Sequence, residues 1–134
     1  MKRFVLFLFL SVFTLTVAFA SVSLHFFTAK SNSDGVLIEW KTGDEDGVTR
    51  FEIERSAGSM ENFIFIKSMN AIGNNSFYSY QDNSVSFKMT SSLYYYRLKC
   101  VKPDGSSTYS NTISVMYTVS GIKDTWGSIK AIFR

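Results

Sequence analysis

The chain has 134 residues, of which 46% are hydrophobic and 19% charged, and its formal net charge is +3. This composition is too apolar for a disordered protein, and the length allows one full domain rather than two. The single cysteine excludes an internal disulfide, so one hydrophobic core has to stabilise the fold.

The first twenty residues have the pattern of a secretory signal peptide. A short basic start precedes an uncharged apolar run, and small residues stand at positions −3 and −1 of a cleavage site between Ala20 and Ser21. The alternative is an uncleaved anchor, and the 17 residues of 4–20 are at the short limit of a spanning helix. We therefore predict a signal peptide in residues 1–20. The protein is then secreted to the periplasm, the cell surface or the extracellular space, with no membrane span after cleavage.

Cleavage also changes the charge of the protein. The leader carries Lys2 and Arg3, so its removal lowers the net charge from +3 to +1. A nucleic-acid-binding protein needs a concentrated basic face, and none is left. We predict no nucleic-acid partner.

From Ser21 onward the hydrophobic pattern has a period of two, which is typical of β-strands. Turn signals separate the runs, as at residues 33–35 and 103–105. The predicted strands are residues 22–26, 36–41, 51–55, 63–67, 77–81, 93–101 and 109–117. Seven short strands without a convincing helix predict an all-β fold, a seven-stranded antiparallel β-sandwich.

Two of these runs resemble the fibronectin type III family. Val36, Ile38 and Trp40 alternate as in the second strand of that family, whose tryptophan lies in the middle of the core. The run 94–101 resembles the sixth strand, and Tyr94 matches the tyrosine-corner position. The resemblance implies that the buried Tyr94 hydroxyl bonds back to the backbone.

A closer likeness is to a bacterial subgroup in exported proteins of the Bacteroidetes type. That subgroup carries runs similar to residues 51–56 and 95–99, with an Asp-Gly turn after the second. The likeness implies a fibronectin type III, immunoglobulin-like sandwich over residues 21–119, and it implies little about function. In the subgroup a longer sorting domain usually follows, whereas residues 120–134 follow here.

The residue types needed for catalysis or metal binding are scarce. His25 is the single histidine, and a hydrolase triad needs a base together with a group that orients it. A zinc site needs three or four ligands at short spacing, which His25 and Cys100 do not supply. Cys100 alternates with Leu98, so we predict a buried thiol rather than a reactive one. We predict no catalytic residues, no metal and no cofactor.

Two loops carry polar clusters. Residues 44–47 could offer oxygen ligands to Ca²⁺, but the spacing is not that of an EF-hand, and Lys41 and Arg50 compete for the carboxylates. We predict a solvated turn. Residues 74–76 match the acceptor pattern for N-glycosylation. Because the chain resembles bacterial proteins, a turn is the preferred interpretation there as well.

Aromatic residues make up 16% of the chain. Exposed rings bind sugars by stacking, although sandwich cores also use aromatic residues. Because Tyr94 and Tyr96 occupy the core face, Tyr95 should point outward beside Arg97 and Lys99. We predict that Tyr95, Arg97 and Lys99 contact a partner.

Residues 120–134 form a C-terminal tail with an amphipathic pattern. Ile122, Trp126, Ile129 and Phe133 recur at helical spacing, and basic residues lie off that stripe. Such a segment could dock on a partner, lie on a membrane surface or contact export machinery. It could equally fold back onto the sandwich. We predict Trp126 and Phe133 as its partner contacts.

Together these observations predict an exported, non-catalytic binding or structural module of the cell envelope or extracellular space. Its partner is predicted to be a protein. A carbohydrate-binding module with a glycan partner is the alternative, and a small hydrolase is less favoured because no base with an orienting partner is evident.

Overall fold

A computed structural model of the chain describes residues 22–85 and 91–118. Over these ranges the protein consists of β-strands and turns, and no helix long and apolar enough to cross a membrane is found there. The strands are Leu24–Asn32 (β1), Gly35–Thr42 (β2), Arg50–Ala57 (β3), Ile64–Asn70 (β4), Phe77–Asp82 (β5), Ser91–Val101 (β6), Ser107–Tyr109 (β7) and Ile113–Thr118 (β8).

The eight strands form two sheets. The first sheet has the order β1-β2-β5, and the second has the order β4-β3-β6, with both β7 and β8 pairing with β6. All of these pairings are antiparallel. Buried side chains from both sheets meet in one hydrophobic core. The prediction of an all-β fold with antiparallel sheets is therefore confirmed.

Trp40 on β2 lies at the centre of this core. Its fully buried ring stacks on Tyr78 of β5 with centroids 5.0 Å apart. Phe51, from the opposite sheet, meets the Trp40 ring edge-on at 5.9 Å. Aromatic pairs of this kind contribute about 0.5–1.5 kcal/mol beyond the burial of their area. The core position predicted for Trp40 is confirmed.

Strand β6 shows the predicted alternation. Tyr94, Tyr96, Leu98 and Cys100 are all buried and belong to the core. Burial raises the pKa of the Cys100 thiol to about 11, although a hydrogen bond with Thr108 acts in the opposite direction. The prediction of a buried, unreactive cysteine agrees with this environment.

The first strand differs from its prediction because it contains a β-bulge. The register of β1 against β2 shifts between Leu24 and Phe26, so an extra residue reverses which side chains face inward. Leu24 packs against the core, but Phe27 rather than Phe26 is the next buried residue. Phe26 is 38% exposed, and His25 is exposed within the bulge. The strand then continues to Asn32 instead of ending at Phe26.

The predicted seventh strand is two strands, so the count of seven was wrong. β7 and β8 pair with β6 in registers that differ by one residue, with Lys99 opposite Tyr109 and Tyr96 opposite Ile113. Ser110 occupies the break. Its Oγ accepts the amide hydrogen of Leu98 at 2.8 Å, and its own amide donates to the Leu98 carbonyl oxygen. A side-chain oxygen thus replaces a backbone acceptor where the ladder is interrupted.

Gly35 begins β2 directly after the turn at Ser33 and Asp34, with φ at +140°. A Cβ at this position would overlap the carbonyl oxygen of Asp82. We expect Gly35→Ala to lower the free energy of unfolding by more than about 3 kcal/mol, because backbone strain and overlap act together.

The control for this prediction is Gly58→Ala. Gly58 has φ at +78° with open space around it, so the substitution should cost only the backbone strain, about 1–2 kcal/mol. Urea denaturation measures the free energy of unfolding of both variants. Equal losses would show that the overlap with the Asp82 carbonyl oxygen adds nothing to the backbone strain.

Candidate functional site

The outward face of the second sheet carries the three predicted β6 residues. Tyr95, Arg97 and Lys99 alternate with the buried side chains of β6, as predicted. In the register with β3, Glu54 lies opposite Arg97 and Glu52 lies opposite Lys99. Opposite charges therefore face each other across two neighbouring strands, an arrangement that stabilises an antiparallel pair.

Arg97 is held by three other residues. Its guanidinium carbon lies 4.0 Å from the ring centroid of Phe63 and 4.0 Å from that of Tyr109. Its Nε donates a hydrogen bond of 2.8 Å to Oε1 of Glu54. We call these four residues, Phe63, Arg97, Tyr109 and Glu54, the Arg97 cluster. A cation between two rings gains attraction on both faces.

The Arg97 cluster spans the width of the second sheet. Phe63 precedes β4 and Tyr109 ends β7, so the two rings approach β6 from opposite sides. The stack needs β6, the adjacent β7 and a segment before β4 that is more than 30 residues from Arg97 in sequence. Its geometry therefore depends on the strand order of the whole sheet.

The guanidinium keeps part of its hydrogen-bonding capacity for an external acceptor. A guanidinium has five N–H donors, and Glu54 accepts the one on Nε. Among the described residues, the two Nη atoms of Arg97 have no hydrogen-bond partner, and its side chain is 26% exposed. The two rings fix the plane of the group, so a carboxylate would meet a preorganised pair of donors.

The other two predicted residues lie nearby but are held differently. Lys99 is 32% exposed, and its Nζ lies 3.9 Å from Oε2 of Glu52, which makes a loose ion pair. Tyr95 is half-buried, with Ser56 and Ser114 opposite it on the neighbouring strands. No ring lies directly across from Tyr95. All three residues share one face, and their role in partner binding stays a prediction.

The exposed apolar residues on this face were not among the predicted site residues. Phe65 is 58% exposed, Tyr109 50% and Met116 56%. Phe65 lies opposite Glu54, and Met116 lies opposite Leu93. The sequence shows that these residues are apolar, but only the register of four strands places them on one surface.

Beneath the outward face, a buried ion pair connects the two sheets. The Arg55 guanidinium on β3 donates a 2.7 Å hydrogen bond to Oδ2 of Asp82 on β5. Tyr96 of β6 donates to the same oxygen at 2.7 Å, and Ser84 donates to Oδ1 through both its amide and its hydroxyl. The Asp82 side chain has no exposed surface. All these donors compensate the loss of water around the charge.

This network shifts the acidity of its members. Burial alone would raise the pKa of Asp82, but hydrogen bonds from Ser84, Tyr96 and Arg55 outweigh burial and lower it. The pKa of Tyr96 is raised, first by burial and then by its hydrogen bond to the Asp82 carboxylate. Burial lowers the pKa of Arg55, yet the Asp82 carboxylate more than reverses this effect. Near neutral pH, Asp82 is therefore a carboxylate, Arg55 a guanidinium cation and Tyr96 a neutral phenol.

The acidic loop at residues 44–47 forms the predicted turn, with Asp44 and Gly47 exposed, but Glu45 is not solvated. Glu45 is only 3% exposed, and its Oε1 accepts hydrogen bonds from Thr42 at 2.9 Å and from the Tyr78 hydroxyl at 2.6 Å. Burial and this hydrogen bond raise the pKa of Tyr78 to about 12. The Glu45 side chain points inward because the Thr42 and Tyr78 hydroxyls at this end of the core donate hydrogen bonds to it.

The neighbouring carboxylates of that loop point elsewhere. Asp44 accepts the amide of Asp46, and Asp46 forms a 3.0 Å ion pair with Lys102. Three carboxylates in sequence thus have three separate partners. Within residues 22–85 and 91–118, no group of three or more histidine, cysteine or acidic side chains is arranged to hold a metal ion.

The turn predicted at residues 74–76 is present. Asn75 has φ at +59°, and the Asn74 side chain accepts the amide of Glu45 at 2.8 Å. Ser76 is joined to Thr42 through its amide and through its carbonyl oxygen. The turn therefore ties the end of β2 to the start of β5.

Several predicted features lie outside the described residues. These are the signal peptide in residues 1–20 and the tail in residues 120–134, with Trp126 and Phe133. Tyr94 is buried as expected, with the Arg55 guanidinium 5.4 Å from its ring centroid. The expected tyrosine-corner hydrogen bond of Tyr94 stays a prediction, because residues 86–90 are also outside the described ranges.

Comparisons with known proteins show a distant similarity in fold. No family model and no curated protein match the chain. Among solved structures, pectate lyase PelI from Erwinia chrysanthemi, in complex with tetragalacturonic acid, is similar with a TM-score of 0.51 and 18% sequence identity. The match covers 72% of this chain and 28% of that chain. The chain thus spans less than a third of the pectate lyase, and the likeness concerns the fold alone.

The Asp82 network predicts a specific loss of stability in acid. An unfolded aspartate has a pKa of about 3.9, and the pKa of folded Asp82 is lower. The ion pair therefore stabilises the fold fully above about pH 4 and less as the pH falls through the lower value. We expect Asp82→Asn to lower the free energy of unfolding by about 3–5 kcal/mol near neutral pH, because it leaves Arg55 unpaired.

Urea denaturation of Asp82→Asn at neutral and acidic pH measures this effect. Its free energy of unfolding should fall less in acid than that of the original protein, since the titrating group is gone. Asp34→Asn, in the exposed turn before β2, is the matched control and should keep the original pH dependence. Parallel pH curves for the Asp82 variant and the original protein would contradict the prediction.

Proposed function

We propose that the chain is an exported, non-catalytic binding module with a fibronectin type III-like sandwich. The first, second and fifth strands lie in one sheet, and the third, sixth and last lie in the other. This division of strands supports a fibronectin type III-like fold, because immunoglobulin-like sandwiches divide these strands between their two sheets in the same way. The partner is a protein, and it binds the outward face of the second sheet.

The observation that carries this proposal is the Arg97 cluster. Arginine and tyrosine are enriched among the residues that contribute most to protein–protein affinity. Arg97 offers an open pair of donors in a fixed plane, so binding costs little side-chain entropy. Phe65, which lies opposite Glu54 on β4, is exposed on the same face and can exclude water from a bound partner.

A carbohydrate partner is the second candidate, and the exposed ring of Tyr109 favours it. Sugar sites combine such a ring with several polar groups that bind hydroxyls. The groups beside Tyr109 are instead two cations: the Arg97 guanidinium, 4.0 Å from its ring centroid, and Lys99, opposite it on β6. A ring face that already holds a guanidinium is not open to stack on a sugar. The similarity to a pectate lyase does not change this choice, because 18% identity supports a comparison of fold alone.

Photo-crosslinking in the cells that produce the chain tests the protein partner. A crosslinking phenylalanine derivative at Tyr95 should give a discrete protein adduct, because Tyr95 lies on the proposed face. The same derivative at Phe77, exposed on the outward face of the first sheet, is the matched control and should not give that adduct. Arg97→Ala should reduce the adduct at least about tenfold, the loss expected when a central interface residue is removed.

Three results would contradict the proposal. They are equal adducts at both positions, an adduct that persists in Arg97→Ala, and no adduct at Tyr95. Binding of a glycan array that depends on Arg97 and Tyr109, with no protein adduct, would favour the carbohydrate candidate.

Export is tested by the mass of the protein recovered outside the cytoplasm. We expect an N-terminus at Ser21, because small residues precede it and the signal peptidase accepts small side chains there. Ala20→Leu should block cleavage and leave a longer, membrane-bound chain, while Ser23→Leu is the control with unchanged processing. Recovery of the unprocessed original chain from the cytoplasm would contradict the proposal.

A further inference from the structure

The edge of the second sheet at β4 is unusually apolar. Among the described strands β4 pairs with β3 alone, which leaves its other edge unpaired. Met60, Ile64, Phe65 and Ile72 belong to β4 or to the segments beside it, and each is more than half exposed. An apolar edge strand is a template for pairing with another strand.

Hydrogen bonds show which amides of β4 face away from the sheet. The amide of Ala71 donates to the carbonyl oxygen of Thr49 next to β3. The backbone N–H and C=O groups of successive residues in an antiparallel strand point alternately to its two neighbours, so those of Met69 also point toward β3. Ser68 and Asn70 then direct their backbone N–H and C=O groups outward. These groups are available to an added strand.

The charge in the middle of β4 restricts what can pair there. Lys67 is exposed, and its ammonium group has no ion-pair partner among the described residues. Antiparallel pairing of two copies about the centre of β4 would bring two Lys67 side chains together, and like charges across strands destabilise a pair. A carboxylate opposite Lys67 would instead be favoured. The tail of this chain, residues 120–134, has three basic residues and the single acid Asp124, so its net positive charge matches Lys67 poorly.

We propose that β4 accepts an extended segment of the protein partner as an additional strand of the second sheet. The segment carries an acidic side chain opposite Lys67 and apolar side chains beside Ile64 and Phe65. Backbone hydrogen bonds supply affinity, and the side chains supply selectivity. This inference rests on the proposed function, because it names where the backbone of that protein partner binds.

Synthetic peptides test the proposal directly on the mature chain. The probe is a short peptide of alternating valine and threonine with one central glutamate, and its matched control has a central lysine. Calorimetry should show the glutamate peptide binding at least about fivefold more tightly, a difference of about 1 kcal/mol for one reversed charge. Lys67→Glu should reverse the preference. Amide hydrogen exchange should slow at Ser68 and Asn70 when the peptide binds.

Two substitutions at one position separate backbone pairing from side-chain contact. Ser68→Pro removes an outward N–H at an edge where proline is tolerated, and it should weaken peptide binding at least about tenfold. Ser68→Ala keeps the N–H and should bind like the original chain. Circular dichroism confirms that the proline variant folds. If the proline variant does not fold, the proposal is tested by hydrogen exchange at Ser68 and Asn70 in the original chain and by the peptide preference of Lys67→Glu.

The proposal is overturned if neither peptide binds, if both bind equally, or if the Ser68 and Asn70 amides stay unprotected. A dimer of the chain that Ser68→Pro dissolves would also overturn it, because a second copy would then be the occupant. The crosslinked adduct at Tyr95 keeps the two proposals distinguishable. An adduct that needs Arg97 but survives Ser68→Pro leaves the proposed function standing and removes the β4 inference.

Discussion

The buried contact between Arg55 and Asp82 is the constraint on which the rest of the structure depends. Arg55 belongs to the second sheet and Asp82 to the first, so the 2.7 Å ion pair fixes the sheets against each other. Tyr96 donates to the same carboxylate from β6 and thereby fixes the inward side of that strand. A buried charge left without its partner is strongly destabilising, so only one register of β6 satisfies the network.

Fixing the inward residues of β6 also determines the outward ones. Successive side chains of a strand point to opposite faces, so Tyr96 and Leu98 in the core require Arg97 to lie on the surface. The pairing of β6 with β3 then brings Glu54 against Arg97. The geometry of the candidate site is therefore a consequence of packing on the other side of the same strand.

This dependence explains how much could be predicted from the sequence. A period of two is a local signal, and it correctly placed Trp40 in the core and Arg97 on the outside. The rings of Phe63 and Tyr109 were not foreseen as partners of Arg97, because Phe63 comes from the segment before β4 and the registers of β4 and β7 are not visible in the sequence. The bulge in β1 and the break at Ser110 each insert a residue without changing composition, and alternation alone cannot locate such insertions. The burial of Glu45 depended on the Tyr78 hydroxyl, a contact between distant segments.

The two sides of the fold differ in how well their edge strands are protected, and this difference is the reason for proposing β4 as a binding edge. On one side β1 and β8 lie close together across the two sheets, which protects those strands. On the other side β4 ends the second sheet with its outer amides unpaired and apolar residues exposed. The register shift between β3 and β4 places an extra residue, Ile66, in β4 next to Lys67, and a bulge of this kind limits uncontrolled pairing at an edge. A lysine and a bulge on an otherwise apolar edge disfavour pairing between two copies, and the same lysine would favour the acidic segment proposed to bind there.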